Sequence, residues 1–124
     1  LANDERLQAE VRGLLEMLGA LTRGDTLFID LRESAERRRD GVVPGSIHAP
    51  YQRLAQELRP AGLLRSLATR APSRLVLYCA YGERSALALG SMQEAGLGNV
   101  YHLAGGLDAW IKAGGPIEPD HDGE

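Results

Sequence analysis

Short apolar runs alternate along this chain with segments of helical periodicity, and that alternation constrains the fold more than any other feature. Leu27-Phe28-Ile29-Asp30-Leu31, Leu75-Val76-Leu77-Tyr78 and Val100-Tyr101-His102-Leu103 are too short for helices and mostly apolar, as strands buried on both faces are. Ile47-His48-Ala49 is a shorter candidate of the same kind. Between them, residues 34–40 read as a short polar helix or turn. Leu54, Leu58, Leu63, Leu64 and Leu67 mark two helical pieces broken by Pro60 and Gly62. A further helix runs from about Ser85 with Leu87, Leu89, Met92 and Ala95, and ends at Gly96 and Gly98. A last one, Leu107 to Ala113, stops at Gly114-Gly115-Pro116, and Trp110 with Leu107 and Ile111 reads as its core-packing face. Strands alternating with helices predict an α/β fold: three α/β/α layers around a central parallel sheet of four to five strands.

The 124 residues suffice for one domain with a real core. Leu7, Val11, Leu14, Leu15, Leu18 and Leu21 recur at helical spacing, so residues 1–24 are expected to form an N-terminal amphipathic helix packed on a domain of residues 25–118. Residues 119–124 are expected to be an acidic, disordered tail. A net charge of −3 gives no electrostatic footing for nucleic acid or an anionic membrane, and no apolar stretch reaches membrane-spanning length. Asp4, Glu5 and Glu10 are foreign to a signal peptide, which points to the cytoplasm. The chain begins at Leu1 rather than Met, which leaves open export with a removed signal. A monomer or weak dimer is expected.

One cysteine, Cys79, excludes an internal disulfide and a Cys-rich zinc site. His48 and His102 have no companion at ligand spacing, so they read as hydrogen-bonded structural residues and no metal is expected. Without a Walker loop, a dinucleotide fingerprint or a Gly-x-Ser-x-Gly elbow, no cofactor is expected either.

Cys79 stands where a buried strand ends and a helix is about to begin. Backbone N–H groups converge at such a place, and the helix dipole favours negative charge there. Both stabilise a thiolate, the nucleophilic form of the side chain. The plainer alternative is a buried cysteine acting as a small hydrophobe. In open parallel sheets, ligands bind beyond the C-terminal strand ends, so Asp30 and Cys79 would share the site edge. Asp30 with Arg32 and Glu33 reads as an ion-pair network bracing the loops there, a supporting role. Arg37-Arg38-Arg39 lies among Glu33, Glu36 and Asp40 and reads as a solvated helix face rather than a nucleic-acid patch. Tyrosine-phosphatase loops place an arginine six positions after the cysteine. Here Arg84 is five positions after, and the tighter loop suits one sulfur atom on Cys79 better than a phosphate.

Together these residues resemble the rhodanese family, specifically its single-domain members. Leu27 to Glu33 (LFIDLRE) is similar to its Asp-x-Arg strand end, and Gly41 to Pro50 (GVVPGSIHAP) to its Gly-x-(Ile/Val)-Pro-Gly-(Ala/Ser) segment. Val76 to Ala88 (VLYCAYGERSALA) carries a Cys-x-x-Gly-x-Arg-Ser loop, and Asn99 to Trp110 (NVYHLAGGLDAW) a Gly-Gly-x-x-x-Trp closing motif. The resemblance implies a sulfurtransferase that moves sulfane sulfur from a donor (thiosulfate, persulfide or thiosulfonate) to a thiol, cyanide or a protein sulfur acceptor. Cys79 would be the nucleophile and carry the persulfide. The amides of Ala80, Tyr81, Gly82, Glu83, Arg84 and Ser85 would cradle the outer sulfur, and Arg84 would face the anion or brace the loop. A sulfur-carrier or regulatory module of the same fold is the alternative, and a phosphatase or arsenate reductase a more distant one. Thiosulfate-using relatives place basic residues just after the cysteine. Ala80, Tyr81 and Glu83 stand there instead, which points toward an organic persulfide or thiosulfonate donor. The family's first strand has no clear counterpart before Asp4.

Overall fold

The computed structural model describes residues 26–70 and 74–120; the helix expected over residues 1–24 lies outside them. The expected strands form: β1 (Thr26–Asp30), β2 (Ile47–His48), β3 (Arg74–Tyr78) and β4 (Val100–His102). Among the described residues they make one four-stranded, all-parallel sheet in the order β2-β1-β3-β4. After β1 the chain places β2 on one side and then returns to place β3 on the other. The topological switch therefore falls between β1 and β3, where an open α/β sheet forms its crevice.

The helices fall where glycine, proline and apolar spacing put them: α1 (Ser34–Asp40), a 3₁₀ turn (Tyr51–Arg53) running into α2 (Leu54–Glu57), α3 (Leu63–Thr69), α4 (Glu83–Glu94) and α5 (Gly106–Lys112). Alternation along β3 sends Leu75 and Leu77 to one face and Val76 and Tyr78 to the other. The first face packs on Leu64 and Leu67 of α3 and on Ala88, Leu89 and Met92 of α4. The second packs on Val43, Leu103, and Leu107 and Trp110 of α5, with Trp110 edge-on to Phe28 at 5.7 Å between ring centroids. This is the expected three-layer arrangement.

Several single-residue expectations change. Leu87, read as part of the apolar face of α4, is 62% exposed, and the buried stripe is Ser85, Ala88, Leu89 and Met92. Ile111, read as core beside Trp110, is 48% exposed. Arg37, read as part of a solvated face, is 2% exposed, because its guanidinium donates to Asp30 Oδ2 at 2.8 Å. Asp120, assigned from sequence to the disordered tail, has a buried side chain 3.4 Å from Arg37 Nη2. Just before it, Glu118 and Val42 form a two-way backbone bridge. Residues 121–124 lie outside the described residues. Among the described residues no helix is long and apolar enough to cross a membrane.

Candidate active site

β3 delivers Cys79 to the crevice, and the chain then turns sharply into α4. Gly82 makes that turn at φ +106°, a left-handed conformation that glycine adopts without strain. The turn aims two backbone N–H groups at the sulfur: Gly82 donates to Cys79 Sγ at 3.1 Å and Ser85 at 3.4 Å. Of the six amides expected to form the cradle, these two hold the reduced sulfur, while Glu83, Arg84 and Ser85 supply the first-turn N–H groups of α4. Cys79 itself is fully buried. Ser85 also brings its hydroxyl to within 3.7 Å of Sγ, and that hydroxyl lies 2.8 Å from Nδ1 of His102 at the end of β4.

The far wall of the loop is α5. Its Leu107 and Asp108 N–H groups donate to the carbonyls of Cys79 and Ala80 at 2.9 and 3.1 Å. Such close approach explains Gly105-Gly106, the glycine pair of the closing motif. At Gly106, with φ +64°, an added Cβ would stand 2.5 Å from the Cys79 carbonyl oxygen. Gly106→Ala therefore combines left-handed strain with a backbone clash. A loss of about 3 kcal/mol in urea unfolding is expected, together with loss of loop order.

Arg84 braces the loop while staying close enough to Cys79 for the two side chains to interact. Its Nη1 and Nη2 donate to Oε1 and Oε2 of Glu36 at 2.8 and 2.9 Å, a bidentate pair between α4 and α1. Pairing with Arg84 holds the Glu36 carboxyl down at about 2, and Glu36 in turn raises Arg84 further above its usual value. Glu83, next to Arg84 in the chain, is exposed. Glu36 is the residue that sequence reading missed. Its one local signal is its place in the first turn of α1, where its Oε1 also accepts the Glu33 N–H at 2.9 Å.

Asp30 and Arg32 form the network expected of them, while Glu33, read with them from sequence, is exposed and accepts from Gln52 instead. Asp30 Oδ1 accepts the Arg32 N–H and Nε–H, at 2.9 and 3.0 Å. Its Oδ2 accepts from Arg32 Nη2, Arg37 Nη1 and the Tyr78 hydroxyl at 2.8, 2.8 and 2.9 Å. Arg32 reaches on to the Gly41 carbonyl at 2.7 Å, and Tyr78 accepts the Val43 N–H at 3.1 Å. The network thus ties β1 and β3 to the loop before β2. Burial and the Asp30 carboxylate both push the Tyr78 hydroxyl up, so it stays protonated as a donor. His48 takes the structural part expected of it, with Nε2 2.7 Å from the Arg32 carbonyl oxygen.

Beside the cysteine loop lies a groove of about 470 Å³ lined by Arg32, Glu36, Arg39, Ala80, Tyr81 and Ile111, among others. Tyr81 is 66% exposed and Ile111 48%, so its rim is partly apolar. Its two cations are matched by carboxylates: Arg32 by Asp30, and Arg39 by Asp40 at 2.9 Å.

A parallel α/β sheet with a buried cysteine at its switch point, held by loop amides at a helix N-terminus, defines a class of thiol-centred domains. The chain belongs to the rhodanese-like domain family, whose model matches residues 14–113. It is 30% identical over 93 residues to a sulfurtransferase of Allochromatium vinosum, covering 75% of this chain and 78% of that one. It is also 31% identical over 101 residues to the mouse thiosulfate sulfurtransferase/rhodanese-like domain-containing protein 3. That match covers 77% of this chain and 64% of the mouse protein, so the chain spans just under two thirds of that relative's length. Among solved structures, a Rhodopseudomonas palustris protein of unknown function, described as a possible tyrosine phosphatase, superposes with a TM-score of 0.73. It is 36% identical, and the match covers 85% of this chain and 81% of that one.

Proposed function

We propose that this protein is a sulfurtransferase working through a persulfide on Cys79, and that it prefers an organic persulfide or thiosulfonate to thiosulfate. The observation that carries the reading is the pair of N–H groups, from Gly82 and Ser85, converging on a buried strand-end sulfur. They stabilise the thiolate that attacks the donor's outer sulfur and, later, the same thiolate leaving when an acceptor takes that sulfur. With thiosulfate the leaving group is sulfite, and with an organic persulfide it is a thiolate. Intact mass after incubation with each donor tests the reading. A gain of one sulfur atom on Cys79, lost again to a thiol, cyanide or a protein acceptor, is expected. No gain with any donor would overturn it.

The donor preference follows from charge. Thiosulfate is a dianion and approaches a thiolate favourably only where cations line the way. Arg84 is held on Glu36, and the cations of the groove are matched by carboxylates. The apolar faces of Tyr81 and Ile111 suit an organic group instead. Glu36→Gln should release Arg84 toward the loop and raise kcat/KM for thiosulfate about tenfold or more, with a smaller change for a neutral thiosulfonate. An equal rise for both donors would count against the charge account. The same pair carries a pH signature. Glu36 sits below its ordinary value near 4.5, so its contribution to stability is complete above that value and fades as pH falls toward 2. Urea unfolding from pH 6 down to pH 2 should show a steeper decline in the wild type than in Glu36→Gln.

The family neighbour described as a possible phosphatase raises that chemistry too. The short Cys79-to-Arg84 loop and the engagement of Arg84 by Glu36 leave a phosphate without its arginine clamp. Hydrolysis of an aryl phosphate at background rate is expected.

A further inference from the structure

We propose that His102, acting through the Ser85 hydroxyl, takes up the proton of the Cys79 thiol, which makes His102 the positioning residue that generates the nucleophile. The proposal rests on the persulfide reading of Cys79 for its purpose, though not for its test. Three buried groups stand in line: Cys79 Sγ, Ser85 Oγ at 3.7 Å from it, and His102 Nδ1 at 2.8 Å from that oxygen. Cys79 and Ser85 are 0% exposed and His102 is 5% exposed, so the thiol lies away from bulk water and next to a hydroxyl.

The hydroxyl can serve two proton arrangements equally well. With a thiol, S–H donates to Ser85 Oγ, and the Ser85 O–H donates to a bare Nδ1. With a thiolate, the Ser85 O–H donates to Sγ, and a protonated Nδ1 donates to Ser85 Oγ. Every partner stays hydrogen-bonded in both, and no heavy atom needs to move far. The alternative acceptor for the hydroxyl, the Gly82 carbonyl, is more distant at 3.2 Å. The charged arrangement is supported on the sulfur side by the Gly82 and Ser85 N–H groups and is neutral as a whole, which limits its desolvation cost.

The step balances. The Cys79 S–H proton passes to Ser85 Oγ as the Ser85 hydroxyl proton passes to His102 Nδ1, and no electron is gained or lost. The thiolate then attacks the outer sulfur of a donor R–S–SH. A bond forms between Sγ and that sulfur, the S–S bond of the donor breaks, and R–S⁻ leaves with the electron pair. An acceptor thiolate R′–S⁻ reverses the exchange, forming R′–S–SH and returning Cys79 as a thiolate to the same Ser85 hydroxyl and imidazolium.

The position of β4 explains why the three meet. His102 pairs with Leu77 across the sheet, and paired residues of parallel strands point to the same face. Leu77 and Cys79 share that face, the one α4 covers, and Ser85 is on the first turn of α4.

Alkylation of Cys79 by iodoacetamide in the full chain tests the relay without any sulfur donor. His102→Asn keeps a side-chain amide near the Nδ1 position, so it can still bond Ser85, but it cannot accept a proton. The expected result is an unchanged urea midpoint, an alkylation rate at neutral pH lowered about tenfold or more, and loss of the ultraviolet absorbance of the thiolate. Nitrogen NMR of the wild-type ring should show His102 protonated before alkylation of Cys79 and neutral after it. Ser85→Ala, which cuts the relay and leaves His102 in place, should lower the alkylation rate similarly and serves if His102→Asn does not fold. An unchanged alkylation rate in the folded variants, or a neutral His102 ring in the unalkylated protein, would overturn the proposal. A wild type that alkylates fast through His102 yet gains sulfur from no donor would uphold the relay and overturn the sulfurtransferase reading alone.

Discussion

Cys79→Ser is expected to fold like the wild type and to lose sulfur transfer by at least about a thousandfold, down to background, with every donor and acceptor. The substitution exchanges sulfur for a smaller oxygen in a fully buried position. The hydroxyl can still accept from the Gly82 and Ser85 N–H groups that hold Sγ at 3.1 and 3.4 Å, so the stability change should stay within about 1 kcal/mol. The functional change is absolute for a reason visible in composition. No second cysteine exists to accept the sulfur in its place. Intact mass should show no sulfur gain with any donor, and turnover of an organic thiosulfonate in the presence of cyanide should be flat. Substantial transfer by this variant would end the persulfide account.

Asp30→Ala should have the largest effect on stability, costing about 3–5 kcal/mol, a large part of what holds a domain of this size folded. The carboxylate accepts from Arg32 three times and from Arg37 and Tyr78 once each, all in the interior. Its removal takes from two buried guanidinium groups the carboxylate that both of them bond. The urea midpoint should fall with little change in slope. The protein that remains folded should keep its kcat, because Asp30 acts on the loops rather than on the reacting sulfur. A folded variant that had lost transfer would assign Asp30 a catalytic role instead.

How far the site can be read from sequence depends on the distance over which its parts interact. Cys79, Gly82 and Ser85 lie within one turn, and their meeting needs only a strand end, a left-handed glycine and a helix start. The spacing shows all three. Arg84 is equally easy to find, yet its role was not, because its partner Glu36 is 48 positions away and looks like any other charge on a polar helix. Arg37 is a similar case. Its position four after Glu33 suggests a solvated pair, while the buried carboxylate of Asp30 seven positions back draws it inward. Burying a guanidinium costs free energy that this partner and Asp120 help to offset, and neither is visible to local periodicity. Ser85 and His102, 17 positions apart, meet only because β4 sits beside β3 in one particular register.

The sequence by itself determined the layers, the strands and the place of the cysteine in this protein. Apolar periodicity, glycine and proline act over a few residues, and they specify an α/β chain with Cys79 at a strand end wherever the rest of the chain goes. Tertiary structure decided the direction of each charge: Arg84 onto Glu36, Arg37 onto Asp30, and His102 toward the sulfur by way of Ser85. Those outcomes depend on which strands become neighbours and which groups lose water together. Desolvation and pairing are properties of the packed molecule, and no single stretch of the chain contains them.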